Sequence, residues 1–399
     1  MSRFFSYINS SKKILDAYDG MQPFPFHIKK HFAANKNFGS KDRKTIAEIC
    51  YAWLRTSHLF GRNLQDENII HALFLCVDTQ HPLLAALQPE LNKKVSLGSG
   101  EKLSFLQLSA GSIFPFENEL GNIDHEKFVL SFFQQPLLFL RLRPGKEKAV
   151  IAKLENAAVS FSMLSANAVS LPNATKLEGI IDINKDAVVQ DSNSQKVFDH
   201  LREQSLTPSL EFPWFVSPRT TSEKIPVWDC CAASGGKSIL LFDQLNGKIK
   251  LTVSDIRPAI LKNLKKRLQE AGININRAFV ADVSNDIAEE IEKEFSIIIC
   301  DAPCTGSGTW SRTPEQLAYF KTGKINEFAA LQKSIAINTS KYLKKDGLYF
   351  YITCSVFKKE NEEVAEALAK DTGMKLLHKK YLEGYNHHAD TMFVAVLKK

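Results

Sequence analysis

At 399 residues, 44% hydrophobic and 24% charged, the chain is longer than one ordinary domain and apolar enough to build its cores without covalent staples. Seven cysteines, an odd number placed mostly in apolar runs, exclude a secreted disulfide framework and point to a reducing, cytoplasmic setting. No apolar leader and no run of 18 uncharged apolar residues is present, so a soluble protein with no membrane partner is expected; the net charge of +7 favours a polyanionic partner without naming it.

Residues 1–125 are expected to form a helical module. Ile46, Ile49, Cys50, Trp53 and Leu54 recur at helical spacing behind Ser40, read as the N-cap, with Gly39 as the breaker before it. Lys29, Lys30, Lys36, Lys41, Arg43, Lys44 and Arg55 gather along these helices, a set that can follow a phosphate backbone or simply serve solubility. Between 126 and 205 the pattern becomes that of a small α+β domain. Leu138, Leu140 and Leu142 alternate with Phe139, Arg141 and Arg143 and run into Pro144-Gly145, a strand and a turn. A helix from Lys146 to Ala158 and short strands at Val169–Leu171 and Ile180–Ile183 complete it. The Ser-, Thr- and Pro-rich stretch from Gln204 to Lys224 reads as a surface connection.

Residues 206–399 are expected to be an α/β domain. Strands at Val227–Cys230, Leu251–Ser254, Arg277–Ala281, Ile297–Cys300 and Leu348–Ile352 alternate with helices such as Ser238–Gln244 and Pro258–Ala271. This order predicts a doubly wound, mostly parallel sheet whose ligands sit at the carboxyl ends of the strands.

The loop Cys231-Ala232-Ala233-Ser234-Gly235-Gly236-Lys237 joins the first of these strands to its helix, where glycines admit a ligand close to the backbone and the helix start offers free amides. It lacks the Gly-x-Gly-x-x-Gly of dinucleotide sites, and it misses a P-loop only because position 231 is Cys; Gly236-Lys237-Ser238 therefore leaves an NTPase as a third reading. Asp255, ending the second strand, can accept hydrogen bonds from both ribose hydroxyls, and Asp282, after the third, can meet an adenine amino group. Singly, each is an ordinary turn or cap residue; together behind a glycine loop they describe an adenosyl pocket without a phosphate.

Two thiols share that edge. Asp301-Ala302-Pro303-Cys304-Thr305-Gly306-Ser307-Gly308 projects Cys304 from the fourth strand, and Thr353-Cys354-Ser355 ends the fifth. Cys50, Cys76, Cys230 and Cys300 read as small buried hydrophobes. A zinc site from Cys230, Cys231, Cys300 and Cys304 lacks paired Cys-x-x-Cys spacing and histidines, so no metal is expected. Two thiols beside an adenosyl donor suit methylation of a pyrimidine carbon. Thiolate addition to carbon 6 of cytosine makes carbon 5 nucleophilic, and a base must then remove the carbon 5 proton. Either thiol can fill either role, and Asp301 can hydrogen-bond the cytosine edge.

These motifs, with Arg312, Pro314 and Glu360-Asn361-Glu362, resemble the Sun/Fmu (RsmB-type) family of RNA cytosine-5 methyltransferases. Val188 to Gln195 resembles the segment leading into that family's catalytic domain, Arg141 to Gly145 resembles part of its small RRM-like domain, and Asp42-Arg43 with Tyr51 to Arg55 is similar to its NusB-like RNA-binding module. The resemblance implies a Rossmann-like fold, S-adenosylmethionine as cofactor, Cys354 as nucleophile and Cys304 as the group assisting product release. It also implies that residues 231–237, Asp255, Asp282 and Asp301 line the cofactor site, and that a monomer acts on RNA, ribosomal RNA before transfer RNA. Ser234 stands where many members have proline, and His387-His388-Ala389-Asp390-Thr391-Met392-Phe393 matches the family's ending only loosely, its histidines reading as solvated loop residues. A non-catalytic RNA-binding assembly factor with a relic pocket is the competing reading.

Overall fold

The computed structural model describes residues 3–201, 224–287, 291 and 294–399. The expected connection at 204–224 lies outside these residues except at its last position. Among the described residues no helix is long and apolar enough to cross a membrane.

One compact unit comprises Met1–Pro136 together with Ser307–Thr322. Its longest helix, Ser40–Thr56, buries Ile46, Ile49, Cys50, Trp53 and Leu54 along one stripe, as the spacing requires. The cap shifts by one residue: Gly39 is the N-cap and Ser40 the first helical residue, because Asp42 reaches back to accept the Gly39 N–H at 2.9 Å and satisfies an amide the helix leaves free. Lys29, Lys30, Lys36, Lys41 and Lys44 are exposed, whereas Arg55 is buried. Its guanidinium donates to Gln135 at 2.7 Å and to the Ser311 carbonyl at 2.8 Å, so it is a structural cation and leaves the basic set read from the sequence. The returning segment contributes Trp310, fully buried with its ring 4.7 Å from that of Phe320 and 5.9 Å from that of Phe114. Glu315 accepts the Phe24 N–H at 3.1 Å, capping the helix Phe24–Ala34.

The second unit comprises Leu137–Gly306 and Gly323–Lys399. It opens with an antiparallel sheet in the order β2-β3-β1-β4, formed by β1 (Leu138–Leu142), β2 (Ser162–Ser165), β3 (Ala168–Leu171) and β4 (Ala187–Val189). Helix Glu147–Asn156 lays Val150 and Leu154 on Leu140, Leu142 and Val169. The expected strand Ile180–Ile183 is instead a turn touching Ala187 through one bridge; its isoleucines pack into the core as anchors, which mimics strand composition.

A buried ion cluster joins this sheet to the helix Gly236–Gln244. Arg141 donates to Asp243 at 2.5 Å and Arg143 donates to it at 2.6 Å, with Asp243 only 5% exposed. Arg143 also caps the helix Pro258–Glu270 through the Ala271 carbonyl.

The main sheet has seven strands in the order β10-β11-β9-β8-β5-β6-β7: β5 (Ile225–Asp229), β6 (Ile249–Asp255), β7 (Ile275–Val280), β8 (Phe295–Asp301), β9 (Leu343–Thr353), β10 (Lys375–Leu382) and β11 (Met392–Lys398). Strands β5 to β9 pair in parallel, and β11 and β10 extend the sheet antiparallel beyond β9. Alternate residues serve opposite faces. Val227, Val253, Ile297, Ile299 and Phe350 meet Ile239, Leu264 and Leu268 on one side; Trp228, Cys230, Ile298, Cys300, Tyr349 and Tyr351 meet Ile335, Ala336, Val364 and Leu368 on the other. With both faces covered, the central strands β5 and β8 and the second half of β9 are apolar over most of their length. From β5 the chain winds one way through β6 and β7 and then returns to β8 on the other flank, so the winding reverses between β5 and β8, where such sheets bind ligands.

Candidate active site

The side chains of interest follow the carboxyl ends of β5, β6, β7, β8 and β9, which the parallel pairing aligns along one edge of the sheet. Cys304 and Cys354, 50 residues apart, have their sulfurs 3.4 Å from each other, at hydrogen-bonding distance for thiols. The contact with Cys354, with burial adding to it, holds the Cys304 thiol well above the ordinary cysteine range.

Lys237 does not project toward a phosphate. Its ammonium lies 2.9 Å from Asp301, the last residue of β8. Burial works against its charge, but Asp301, and behind it Cys354, raise its pKa above the usual lysine value. The near-P-loop thus spends its lysine inside the thiol site, and this weighs against the NTPase reading.

The loop between β5 and helix Gly236–Gln244 is shaped by backbone bonds. Ala232 donates to the Ser254 carbonyl at 2.9 Å and Gly235 to the Ala232 carbonyl at 2.7 Å. Gly235 has φ +81°, and a Cβ built there would lie 2.4 Å from Leu264, so the position needs glycine on both counts. Ala233 holds φ +44° without that freedom, a local strain of about 1–2 kcal/mol. Ser234, in the proline position, accepts a hydrogen bond from Arg267 at 2.9 Å, which ties the loop to the helix Pro258–Glu270.

Tested against S-adenosylmethionine, the residues fit. Asp229 ends β5 with one oxygen bound by Ser238 at 2.6 Å; the other, Oδ1, is buried with no hydrogen-bond partner among the described residues, an open acceptor for the donor's ammonium group. Asp255 is buried at the end of β6, followed by Ile256, 57% exposed, an apolar plate of the kind an adenine ring covers. Asp255 already accepts four hydrogen bonds, from Ala233 N at 3.1 Å and from the backbone N, Nε and Nη2 of Arg257 at 2.9, 2.9 and 3.0 Å. Although burial opposes its charge, Arg257 keeps its pKa below the usual aspartate value. A ribose diol reaches it only when the Arg257 side chain, 58% exposed, swings into solvent. Asp282 lies two residues beyond β7, exposed, and binds Ser284 and Asn285 of its own turn; its side chain remains open to a further donor from solvent.

Asp229 gives the site a pH dependence. Burial pushes its pKa up to about 7, against about 3.9 in an unfolded chain. Its neutral form therefore contributes stability that is fully present below about pH 4 and is lost as pH rises through about 7, while a cationic ligand needs the ionised form. The affinity for S-adenosylmethionine is expected to rise severalfold between about pH 6 and about pH 8, and Asp229→Asn to flatten that rise; calorimetric titration across the range reads it, and an unchanged slope in the variant removes Asp229 from the site.

Cys230, Cys231 and Cys300 form a second thiol group, their sulfurs within 4.8 Å of one another. Cys304, the fourth member of the zinc alternative, is engaged with Cys354 instead. Three thiols are one fewer than a closed zinc site uses, and Cys230 and Cys300 are fully buried.

Two residues of the motifs had no site role in the sequence reading. Asp229 carries the same strand-end signal as Asp255. Glu360, wholly buried, stands in a short Glu-Asn-Glu run whose meaning depends on contacts distant in sequence.

Residues 216–398 match the family described as 16S rRNA methyltransferase RsmB/F. The ribosomal RNA small subunit methyltransferase B of Shewanella oneidensis is 25% identical over 384 residues, covering 87% of this chain and 85% of its own length. Among solved structures, PH0851 is alike over 98% of both chains at TM-score 0.68 and 18% identity. NSun6 from Pyrococcus horikoshii, crystallised with SFG, is alike over 71% of this chain and 96% of its own at TM-score 0.59 and 14% identity. Both structural likenesses bear on the fold, which is the Rossmann-like methyltransferase architecture expected from the strand and helix order.

Proposed function

We propose that this chain, whose residues 216–398 match the RsmB/F methyltransferase family, is an S-adenosylmethionine-dependent methyltransferase that methylates carbon 5 of cytosine in ribosomal RNA, in the cytoplasm. The observation that carries the reading is the 3.4 Å separation of the Cys304 and Cys354 sulfurs beside the Lys237–Asp301 pair. Methyl transfer to an oxygen or nitrogen needs no thiol, whereas transfer to a pyrimidine carbon needs a covalent activator and a group that helps undo the adduct.

S-adenosylmethionine supplies the electrophilic methyl group. Cys354 gives up its thiol proton to solvent and adds through its sulfur to carbon 6 of the ring, with Lys237 supplying positive charge nearby. Asp301, paired with Lys237 at 2.9 Å, accepts a hydrogen bond from the exocyclic amino group and orients the base. Once carbon 5 is methylated, its proton departs, the electron pair restores the ring double bond and the carbon–sulfur bond breaks. Cys304 is placed for this elimination: it takes up the carbon 5 proton as its own passes to the leaving Cys354 sulfur. The exposed lysines of the helical unit are assigned to the RNA backbone, which makes binding salt-sensitive.

The direct test incubates the protein with isotopically labelled cofactor and ribosomal RNA from a deletion strain, followed by mass spectrometry of nucleosides and bisulfite sequencing. The expected product is 5-methylcytidine at a defined ribosomal position. No such product on any cellular RNA, with salt-sensitive binding retained, would favour the assembly-factor reading; product confined to transfer RNA would move the substrate.

A further inference from the structure

We propose that Glu360 is the positioning residue of the thiol pair, a buried carboxylate that ties the Cys304 loop to the Cys354 loop and sets the distance between the two sulfurs. The proposal rests on the methyltransferase reading for its kinetic consequence, but not for its geometry.

Glu360 follows Cys354 by six residues and is 0% exposed. Its Oε1 accepts the Thr305 backbone N–H at 2.9 Å and the Gln332 amide at 3.0 Å. Its Oε2 accepts the Thr305 hydroxyl at 2.5 Å and the Ser355 hydroxyl. Thr305 is the residue after Cys304 and Ser355 the residue after Cys354, so one side chain holds both loops one residue past the reactive sulfur. Gln332 extends the bracing by donating also to the Pro303 carbonyl at 2.9 Å, on the other side of Cys304. The neighbouring Asn361 accepts the Thr353 hydroxyl at 2.5 Å and donates to the Ser355 carbonyl at 2.8 Å, bracketing Cys354 in the same manner.

The chemistry calls for a carboxylate. Four donors converge on two oxygens, which matches the four lone pairs of an ionised carboxyl group and leaves none over. Glutamine at 360 would keep one oxygen for the Thr305 N–H and the Gln332 amide, which cannot turn round, and would offer its NH₂ to the two hydroxyls, which can rotate to accept. Alanine would remove the acceptor that all four donors share, leaving the 3.3 Å contact between the Thr305 and Ser355 hydroxyls as the remaining side-chain link one residue past the sulfurs. Such an arrangement acts on distance rather than on cofactor binding, since none of the four donors belongs to the glycine loop or to Asp255.

The test compares Glu360→Ala and Glu360→Gln with wild type by two measurements. One is oxidation of the thiol pair by diamide, which takes up two electrons and two protons to become a hydrazine while the Cys304–Cys354 sulfur–sulfur bond forms; peptide mass spectrometry follows that bond specifically and requires no RNA. The other is steady-state methyl transfer. In Glu360→Ala, disulfide formation is expected to slow at least about tenfold and kcat to fall about 100-fold, as a misplacement near 1 Å does, with KM for the cofactor within about twofold of wild type. Glu360→Gln is expected to recover most of both losses. Wild-type oxidation rate and kcat in Glu360→Ala overturn the proposal, as does a glutamine variant as impaired as the alanine one. Should the alanine variant fail to fold, Ser355→Ala removes one strut alone: about a tenfold fall in kcat at unchanged KM is expected, and no fall overturns the proposal. If wild type forms the disulfide rapidly and Glu360→Ala does not, yet no 5-methylcytidine is made by either, the positioning role stands and the assignment of the reaction falls.

Discussion

Replacing Cys354 with alanine is expected to abolish both methyl transfer and the covalent protein–RNA adduct, whereas replacing Cys304 with alanine is expected to let the adduct form and accumulate. Removing an attacking sulfur takes away the covalent route itself, a loss of at least ~10⁴-fold in turnover. Loss of Cys304 leaves attack and transfer intact and blocks the elimination that frees the product, so the stalled complex survives denaturing electrophoresis. The assignment is the one the family resemblance implies; contact with Cys354 and burial raise the Cys304 pKa, and the Lys237 cation stands near Cys354. A trapped adduct in Cys354→Ala, with none in Cys304→Ala, would show that the two sulfurs have the opposite roles.

The largest effect on stability is expected at Asp243, far from any reacting atom. This carboxylate is shared by Arg141, 3% exposed, and Arg143, 11% exposed, and burial lowers the Arg141 pKa even in its presence. Asp243→Ala leaves two guanidinium groups in a low-dielectric setting without their counter-charge, which costs ~3–5 kcal/mol when one partner of a buried pair is removed. Chemical denaturation followed by tryptophan fluorescence measures it. The companion experiment replaces both arginines with methionine in the Asp243→Ala background: with no buried cation left unpaired, much of the lost stability should return. A cost below ~1 kcal/mol for Asp243→Ala would mean that water reaches these arginines and that the small antiparallel sheet is not held to the Rossmann-like sheet by this cluster.

The parallel sheet was legible because its central strands are covered on both faces, so Ile225 to Trp228 and Ile297 to Cys300 run apolar without a break, and its glycine loop was legible because Gly235 needs a left-handed backbone that few other residues supply. The edge strand Lys375–Leu382 was harder, since it is half solvated and its composition follows the water it faces. Ile180–Ile183 misled for the opposite reason, a turn whose side chains are buried like those of a strand.

What the linear order of residues determined by itself was that Cys304, Cys354, Lys237, Asp255 and Asp301 stand at or just beyond strand ends, as candidates for the proposed site; backbone periodicity and turn chemistry are local properties. Tertiary structure alone decided their relations: that the two sulfurs meet, that Lys237 serves Asp301 rather than a phosphate, that Arg257 occupies the Asp255 carboxylate, that Arg55 is buried, and that Glu360 braces two loops. Each of these depends on pairing between segments tens to hundreds of residues apart, where charge, burial and hydrogen-bond geometry are set by the neighbour across the fold and not by the neighbour along the chain.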